Sequence, residues 1–435
     1  MKAFSLKNPK SKFPLRYLAS KTVLLRADFN VPLKKEEKSR LSKKNRRERS
    51  KKEKEENESS RVIIADNSKI KASLPTIRFL LESNCKAILM THLGNPRGKV
   101  VKELSVEPVA KELKKLLPRT KISKLDDCIG KEVKEKVTKA KNKQIILLEN
   151  LRFYKQEELN DMAFAHSLAS LADVYVNDAF ASCHRKHASV DAITHFLPSI
   201  AGMLVEKEVE MLSKALTPMK PAVWIMGGAK LNKIELLQQA LKKADYVLIG
   251  GALAFSFLKA RGIPTGMSKI DAQSVCAAEK ILHDWKAKKI ILPVDFITAE
   301  NFAPFAKTRI AAYNQIKLHE TCLDLGPETI KLFKRYIYKA RTVVWNGPLG
   351  YFEWAKFATA TKEIGRLLGN LTAISICGGG ETAEAMRKFH LEHKITHLST
   401  GGGAALEFLA GKELPGIAAL ERNYEGYKKR INKKK

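Results

Sequence analysis

"WIMGGAKLNKIELL", residues 224–237, carries an apolar run into two glycines, then two lysines three apart, then a stretch with apolar residues at helical spacing. A strand that ends in glycines and gives way to a helix is the elementary joint of an α/β fold. Glycine lets the backbone take positive φ and come close to an anion, and lysine adds a point charge. The strand half of the joint recurs in "TVLLRADF", "KAILMTH", "QIILLE", "DVYVND", "PAVWIM", "DYVLIG", "KIILPVDF", "RTVVWN", "AISIC" and "KITHLS", with helix-length amphipathic stretches between. That alternation predicts mainly parallel sheet. Some ten strands are many for one sheet, and 435 residues are too many for one ordinary core, so two domains are expected. The stretch "MLVEKEVEMLSKALTPMKP", 203–221, reads as a single helix closed by prolines and is the natural connector. The expected organisation is an N-terminal domain 1–202, a connecting hinge helix 203–220, a C-terminal domain 221–420 and a basic tail 421–435.

Apolar residues at 44% and charged residues at 29% fit a soluble globular protein, and no run approaches the ~18 apolar residues of a membrane span. The N-terminus is basic but has no apolar core with a cleavage site, so no secretory signal is read there. The six cysteines are scattered without a C-x-x-C pair, which argues against a zinc ribbon or a disulfide framework and suits a reducing cytoplasm. A net charge of +33 raises nucleic acid as a partner. Its distribution weakens that reading. Segment 34–61 holds 13 basic and 7 acidic residues and the tail 7 and 2, while the rest of the excess is spread over the body without a groove-reading motif. Segment 34–61 has almost no apolar content and reads as a solvated, flexible insertion, with a polyanion-binding basic helix as the alternative. No specific nucleic-acid partner and no membrane association are expected.

Ligands of open α/β sheets collect where strands end and helices begin. The C-terminal half puts glycine clusters at four such corners: "GGAK" (227–230), "IGGALAF" (249–255), "CGGGET" (377–382) and "STGGGAALE" (399–407). Four clusters, each after an apolar run, point to phosphate recognition. The chain lacks the G-x-x-x-x-G-K-[ST] loop. "GGGETA" satisfies G-x-G-x-x-A, but the acid a dinucleotide fold needs about 20 residues on is replaced by "STGGG", which argues against a dehydrogenase. The N-terminal strand ends are different in kind. "RADFN" (26–30), "THLGNPRG" (91–98), "ENLRF" (149–153) and "NDAFASCHRKH" (177–187) offer Asp28, Asn30, His92, Arg152 and Arg185 from separate loops. One half is suited to a small anion and the other to a nucleotide. "HLEHKITH" spaces His390, His393 and His397 as metal ligands could be, though surface histidines explain it better, and His184 and His187 read as loop or packing residues.

In order along the chain, "RADFNVPL", "LENLRF", "NDAF…HRKHAS", "WNGPLGYFE", "STGGGA" and "LEFLAGKELPG" closely resemble the signature segments of phosphoglycerate kinases, over all but 34–61 and the tail. The resemblance implies two Rossmann-like parallel-sheet domains facing a central cleft and joined by a hinge helix. It implies reversible phosphoryl transfer between 1,3-bisphosphoglycerate and ADP, giving 3-phosphoglycerate and ATP, with Mg2+ on the nucleotide, in a cytoplasmic monomer. By the same resemblance Asp28, Phe29, Asn30, Lys69, His92, Leu93, Gly94, Asn95, Arg152 and Arg185 hold the phosphoglycerate. Gly227, Gly228, Lys230, Lys233, Asn346, Glu353, Gly379, Gly380, Glu381 and Thr382 hold the nucleotide, with Glu353 on the ribose and Glu381 on the metal. Lys69, Lys230, Lys233, Gly402 and Gly403 then serve the transferring group.

Several positions depart from the family pattern. Its arginine in the segment "DNSKIKASLP" is Lys69, which keeps the charge and loses the planar fork. The "HLGRP" arginine is Asn95, with Arg97 two residues on; the "GGGDT" acid is Glu381; a third glycine is Ala252. The lysines of "GGAKLNK" stand three apart where the family has four, a deletion that turns the second by about 100° on a helix. The alternative expectation is therefore a catalytically impaired relative that binds nucleotide or polyanion.

Overall fold

The computed structural model describes residues 1–6, 18–35, 62–228, 234–270 and 272–432. It divides into two compact units, Met1–Glu206 with Pro415–Lys435, and Lys207–Leu414. Each is built on its own parallel sheet. All ten strand stretches read from the sequence are strands, and "KIILPVDF" divides into two, Ile290–Ile291 and Asp295–Ala299, around Pro293.

In the first unit seven strands lie in the order β1 (Phe4–Ser5), β9 (Ser199–Ala201), β8 (Val174–Asn177), β2 (Thr22–Arg26), β5 (Lys86–Met90), β7 (Ile145–Leu147), β6 (Ile122–Lys124), every pair parallel. Runs such as Val23, Leu24 and Leu25 are fully buried, as strands covered on both faces by helices must be. One face packs on Ile70, Ile77 and Leu80 of the helix Ser68–Glu82 and on Val109 and Leu113 of the helix Glu107–Leu116. From β2 the chain proceeds to β5 on one side, and β8 lies on the other, so the order of winding reverses at β2. A crevice opens at the carboxyl ends of strands around such a point, and there Arg26, Asp28, Thr91, His92 and Asp178 emerge.

The second unit has the parallel order β12 (Ile290–Ile291), β11 (Tyr246–Ile249), β10 (Ala222–Met226), β16 (Thr342–Asn346), β17 (Ile374–Gly378), β18 (His397–Leu398). Its winding reverses between β10 and β16, where Met226 lies opposite Asn346 and both strands run straight into glycines. An antiparallel sheet of β13 (Asp295–Ala299), β14 (Thr308–Ala312) and β15 (Thr321–Leu325) is added to this unit. Of these strands only β13 is read from the sequence, within "KIILPVDF"; β14 and β15 are short and mixed in character and carry no clear periodic signal.

Two boundaries differ from the expected ones. The connector is the helix Met203–Leu216, and the division falls inside it, after Glu206. The final helix, Pro415–Asn432, belongs to the first unit: Asn423 accepts from the Ser199 amide at 2.9 Å, and Arg422 donates to Asp191 at 2.8 Å. A segment read as domain end and basic tail thus returns to complete the N-terminal unit, which a linear reading of composition has no means to detect. Insertion residues 36–61 lie outside the described residues; β3 (Leu33–Lys35) and β4 (Val62–Ile64) pair antiparallel on either side of it, Lys35 opposite Val62. Among the described residues no helix is long and apolar enough to cross a membrane.

Candidate active site

In the first unit the loops that follow β2, β5 and β7 bind one another through residues singled out in the sequence. Asn30 accepts from the Gly94 amide at 2.9 Å, and Arg152 donates from Nη1 to the Gly94 carbonyl at 2.9 Å, so three loops meet at one glycine held at φ +62°. Asn150 ties the same loops from beneath, accepting from the Leu93 and Arg152 amides and donating to the Leu93 and Leu104 carbonyls. Asp28 accepts from the Asn30 amide at 3.1 Å and takes Lys69 Nζ at 2.8 Å. The lysine that replaces the family's arginine is therefore anchored, through its single ammonium. Phe29 and Leu93 are buried in the hydrophobic core, so only their backbone is available to the site. Asn95 and Arg97 are exposed, Arg97 at φ +56°.

Charge convergence is visible in the histidines. His92 is buried, and its pKa is held well below the ordinary value by that burial and then by Arg26, Arg152, Lys69 and Arg185. His187 is pushed down to about 3 by burial, Arg26, Arg152 and Arg185. Both rings are neutral at pH 7. His187 thus gains no ionic attraction from Glu157, 3.8 Å away. Lys69 is paired with Asp28 and Arg152 stands near Glu158, so the four cations are only partly compensated, and the remaining positive field favours an anion. Arg152 adds a direct sign: its Nε lies 3.3 Å from Glu158 but out of hydrogen-bonding alignment, and among the described residues that buried N–H has no hydrogen-bond partner. Such an orphaned donor calls for a ligand acceptor. Arg185 is exposed, and among the described residues its side chain reaches the His184 ring, at 3.3 Å.

The sequence reading assigned no role to Arg26, although it quoted "RADFN". The structure puts this guanidinium among the most buried side chains of the chain, bonded to Ser189, Ser182, His92 and the Ala27 carbonyl. A lone arginine at a strand end carries no mark of such burial in the sequence.

The second unit brings backbone together instead. Gly227 donates to the Asn346 carbonyl and Gly228 to the Pro348 carbonyl, each at 2.8 Å. A Cβ on Gly347, at φ +90°, would run into Gly227 backbone, and one on Gly251, at φ +57°, would stand 2.6 Å from the Gly228 nitrogen. These glycines are required by their mutual approach. Ala252 sits at φ −66°, where alanine is unstrained. Gly379, at φ +93°, precedes the helix Gly380–Lys388, whose first turn carries the exposed Glu381. Thr382 accepts from the Gly347 amide at 2.7 Å, which ties the "GGGET" corner to the "WNGP" corner. Asn346 donates to the Gly378 carbonyl at 2.8 Å, while among the described residues its buried Oδ1 has no hydrogen-bond partner, a second unsatisfied polar atom at a predicted ligand corner. Glu353 is exposed.

The "STGGG" corner is fixed by Glu208, which takes His397 Nε2 and Ser399 Oγ at 2.8 Å and the Thr400 amide at 2.8 Å. Burial opposes ionisation of Glu208, yet these bonds hold its carboxyl below the usual range. His397 is thereby committed to a carboxylate. Gly402, at φ +52°, leads into the helix from Gly403, with open space where its Cβ would be. Lys230 and Lys233, in the stretch that opened the sequence reading, lie outside the described residues.

Residues 56–412 match the family model for phosphoglycerate kinase. The chain is 44% identical to the phosphoglycerate kinase of Moorella thermoacetica over 407 residues, 93% of this chain and 97% of that one. It is 45% identical to that of Chlorobium phaeobacteroides over 406 residues, 92% and 96% of the two chains. Among solved structures it resembles the phosphoglycerate kinase of Coxiella burnetii with a TM-score of 0.80 at 34% identity, covering 98% of this chain and 100% of the other.

Proposed function

The chain belongs to the phosphoglycerate kinase family, and on that premise we propose that it moves a phosphoryl group reversibly between 1,3-bisphosphoglycerate and ADP, the glycolytic step that yields 3-phosphoglycerate and ATP. The observation that carries the proposal is the hydrogen-bonded gathering of Arg26 with His92, Lys69 with Asp28, and Asn30 and Arg152 with Gly94 at the strand ends of the first unit.

The reaction suits such a site. A β-phosphate oxygen of ADP forms the new P–O bond as the bond to the acyl oxygen breaks, and the leaving group departs as a carboxylate. No proton has to be removed, so catalysis rests on alignment and on positive charge. In the proposed roles Asp28 and Asn30 orient the phosphoglycerate, Arg152 and Arg185 pair with its anionic groups, and His92 donates a hydrogen bond as a neutral ring. Lys69, braced on Asp28, brings charge toward the carboxyl-phosphate end. In the second unit the glycine corners at 227–228, 347 and 379–380 admit the nucleotide phosphates to backbone, with Asn346, Thr382 and Glu353 as side-chain contacts. Lys230, Lys233, Gly402 and Gly403 are proposed to serve the phosphoryl in transit.

Magnesium fits the donor set. Glu381 presents an exposed carboxylate in the first turn of the helix Gly380–Lys388, and a single carboxylate plus substrate phosphates is a common way to hold this cation. When bound it neutralises charge on the nucleotide phosphates. Work as a monomer in the cytoplasm, a compartment that suits six unpaired cysteines, completes the proposal. No observation favours the impaired alternative.

The test is a coupled assay of ATP formation from 1,3-bisphosphoglycerate and ADP. Turnover that saturates in both substrates is expected. Nucleotide binding without turnover at saturating concentrations would refute the proposal.

A further inference from the structure

Arg26 ends β2 with its guanidinium buried, and among the described residues its hydrogen-bond partners include no carboxylate. Its Nη2 stands 3.0 Å from His92 Nδ1. Arginine can only donate, so Nδ1 must be the acceptor. A neutral His92 then carries its proton on Nε2. The direction of this bond is fixed by chemistry alone.

What aims Arg26 lies behind it. Its Nε donates to Ser189 Oγ at 2.9 Å, and Ser189 Oγ in turn donates to Glu157 Oε1 at 2.6 Å. The other oxygen of Glu157 accepts from the Ser189 amide at 2.9 Å. The serine is gripped at both its backbone and its hydroxyl by a carboxylate with no solvent exposure. A hydroxyl has one proton; with that proton given to Glu157, its lone pairs face Arg26. Every link in the series from Arg26 to Ser189 to Glu157, and from Arg26 to His92, therefore has a single sense.

We propose that Ser189, held by Glu157, is a positioning residue that works through Arg26 to lock His92 as the Nε2–H tautomer, giving the phosphoglycerate a neutral donor of fixed direction. This rests on the function proposed above. The charged groups that bear most on His92 are Arg26 from β2, Lys69 from the Ser68–Glu82 helix, Arg152 from the loop after β7 and Arg185 from the loop after β8, all cationic, with Asp28 held by Lys69. None of these cations accepts a hydrogen bond, so none competes for the Nδ1 role or supplies an alternative acceptor for a proton there.

The experiment uses the full chain with 15N-labelled histidine, the ring nitrogens read by long-range 1H–15N NMR at pH 7, beside the kinetics of 3-phosphoglycerate and ATP. Wild type is expected to show His92 as Nε2–H. In Ser189→Ala a substantial Nδ1–H fraction is expected, with KM for 3-phosphoglycerate raised about tenfold and KM for ATP within about twofold. Ser189→Thr keeps a hydroxyl and is expected to restore both readouts. Wild-type His92 as Nδ1–H would overturn the proposal without any variant, which matters should Ser189→Ala fold poorly. So would Ser189→Ala that loses thermal stability yet keeps the tautomer and both KM values. The two readings separate cleanly: a chain without transfer activity but with the Nε2–H tautomer refutes the function and leaves the relay, whereas full turnover with the other tautomer does the reverse.

Discussion

At the carboxyl edge of the first sheet the polar groups are side chains, and at the corresponding edge of the second they are backbone. Arg26, Lys69, Arg152 and Arg185 supply charge in one unit, each aimed by a neighbour such as Ser189 or Asp28. In the other, Gly227, Gly228, Gly251 and Gly347 clear space so that main-chain groups approach one another and whatever binds there. The difference follows from the ligands proposed. A small, densely anionic acid is gripped by forks and point charges, while a long polyphosphate can lie along N–H groups at helix starts. The two kinds of site should fail in different ways when altered.

The largest expected effect is in the first unit. Arg152→Ala removes a buried guanidinium, and loss of one partner of a buried charged contact costs about 2–5 kcal/mol, or roughly 30- to several-thousandfold in kcat/KM for 3-phosphoglycerate. Steady-state kinetics would check it, and a loss carried mainly by ATP would break the proposed division of roles. Next is Gly347→Ala. Its φ of +90° costs an L-residue about 1–2 kcal/mol, and the clash with Gly227 backbone adds to this. Thermal melting should show destabilisation of at least ~2 kcal/mol, and KM for ATP should rise while KM for 3-phosphoglycerate stays near wild type.

Each unit also buries one carboxyl pushed up to about 7, chiefly by desolvation: Asp178 in the first and Asp324 in the second. Asp178 accepts from the Leu204 amide at the start of the connector helix and from Thr76 Oγ1, and Asp324 from the Ala360 amide at the start of the helix Thr359–Leu368. Because the folded value lies above the ordinary 3.8, between about pH 4 and 7 the folded chain keeps a proton that the unfolded chain has released. The contribution of this group to stability falls as pH rises through that window. Asp324→Asn should gain on wild type by about 3 kcal/mol from pH 4 to 7 in denaturant unfolding, and a difference that does not change with pH would contradict the burial argument. His187, depressed to about 3, acts in the opposite sense: the unfolded chain is protonated below about 6.5, so stability from this ring is lost as pH falls. The smallest effect is expected for Lys69→Arg. A fork in place of a single ammonium should raise kcat/KM by about two- to fivefold; no gain would mean that Lys69 and Asp28 are already matched.

The same contrast explains what could be read from the sequence. The parallel architecture was legible because apolar strands end in glycine or in charged residues at regular intervals, and Gly227, Gly347 and Gly379 stand at those ends for a conformational reason that residue type alone announces. The cations were legible as candidates, since Arg152 and Arg185 sit in distinctive segments. Their wiring was not. Arg26 looks like the close of a strand, Glu157 like a surface charge in "YKQEELN", and Ser189 like a filler; only the fold brings residues 26, 157 and 189 into one hydrogen-bonded series. The return of Pro415–Asn432 to the first unit escaped for a related reason, because packing against Ser199 and Asp191 leaves no periodic trace in the residues near them.

The claim on which the account depends is that the acid and the nucleotide are held by different units. Hydrogen–deuterium exchange of the full chain with each ligand alone tests it directly. The account predicts that 3-phosphoglycerate protects peptides around Gly94, Arg152 and His187 and leaves those around Gly228, Gly347 and Gly379 unchanged, and that ADP with magnesium does the converse. Protection of the glycine corners by 3-phosphoglycerate alone, with none around Arg152, would contradict it.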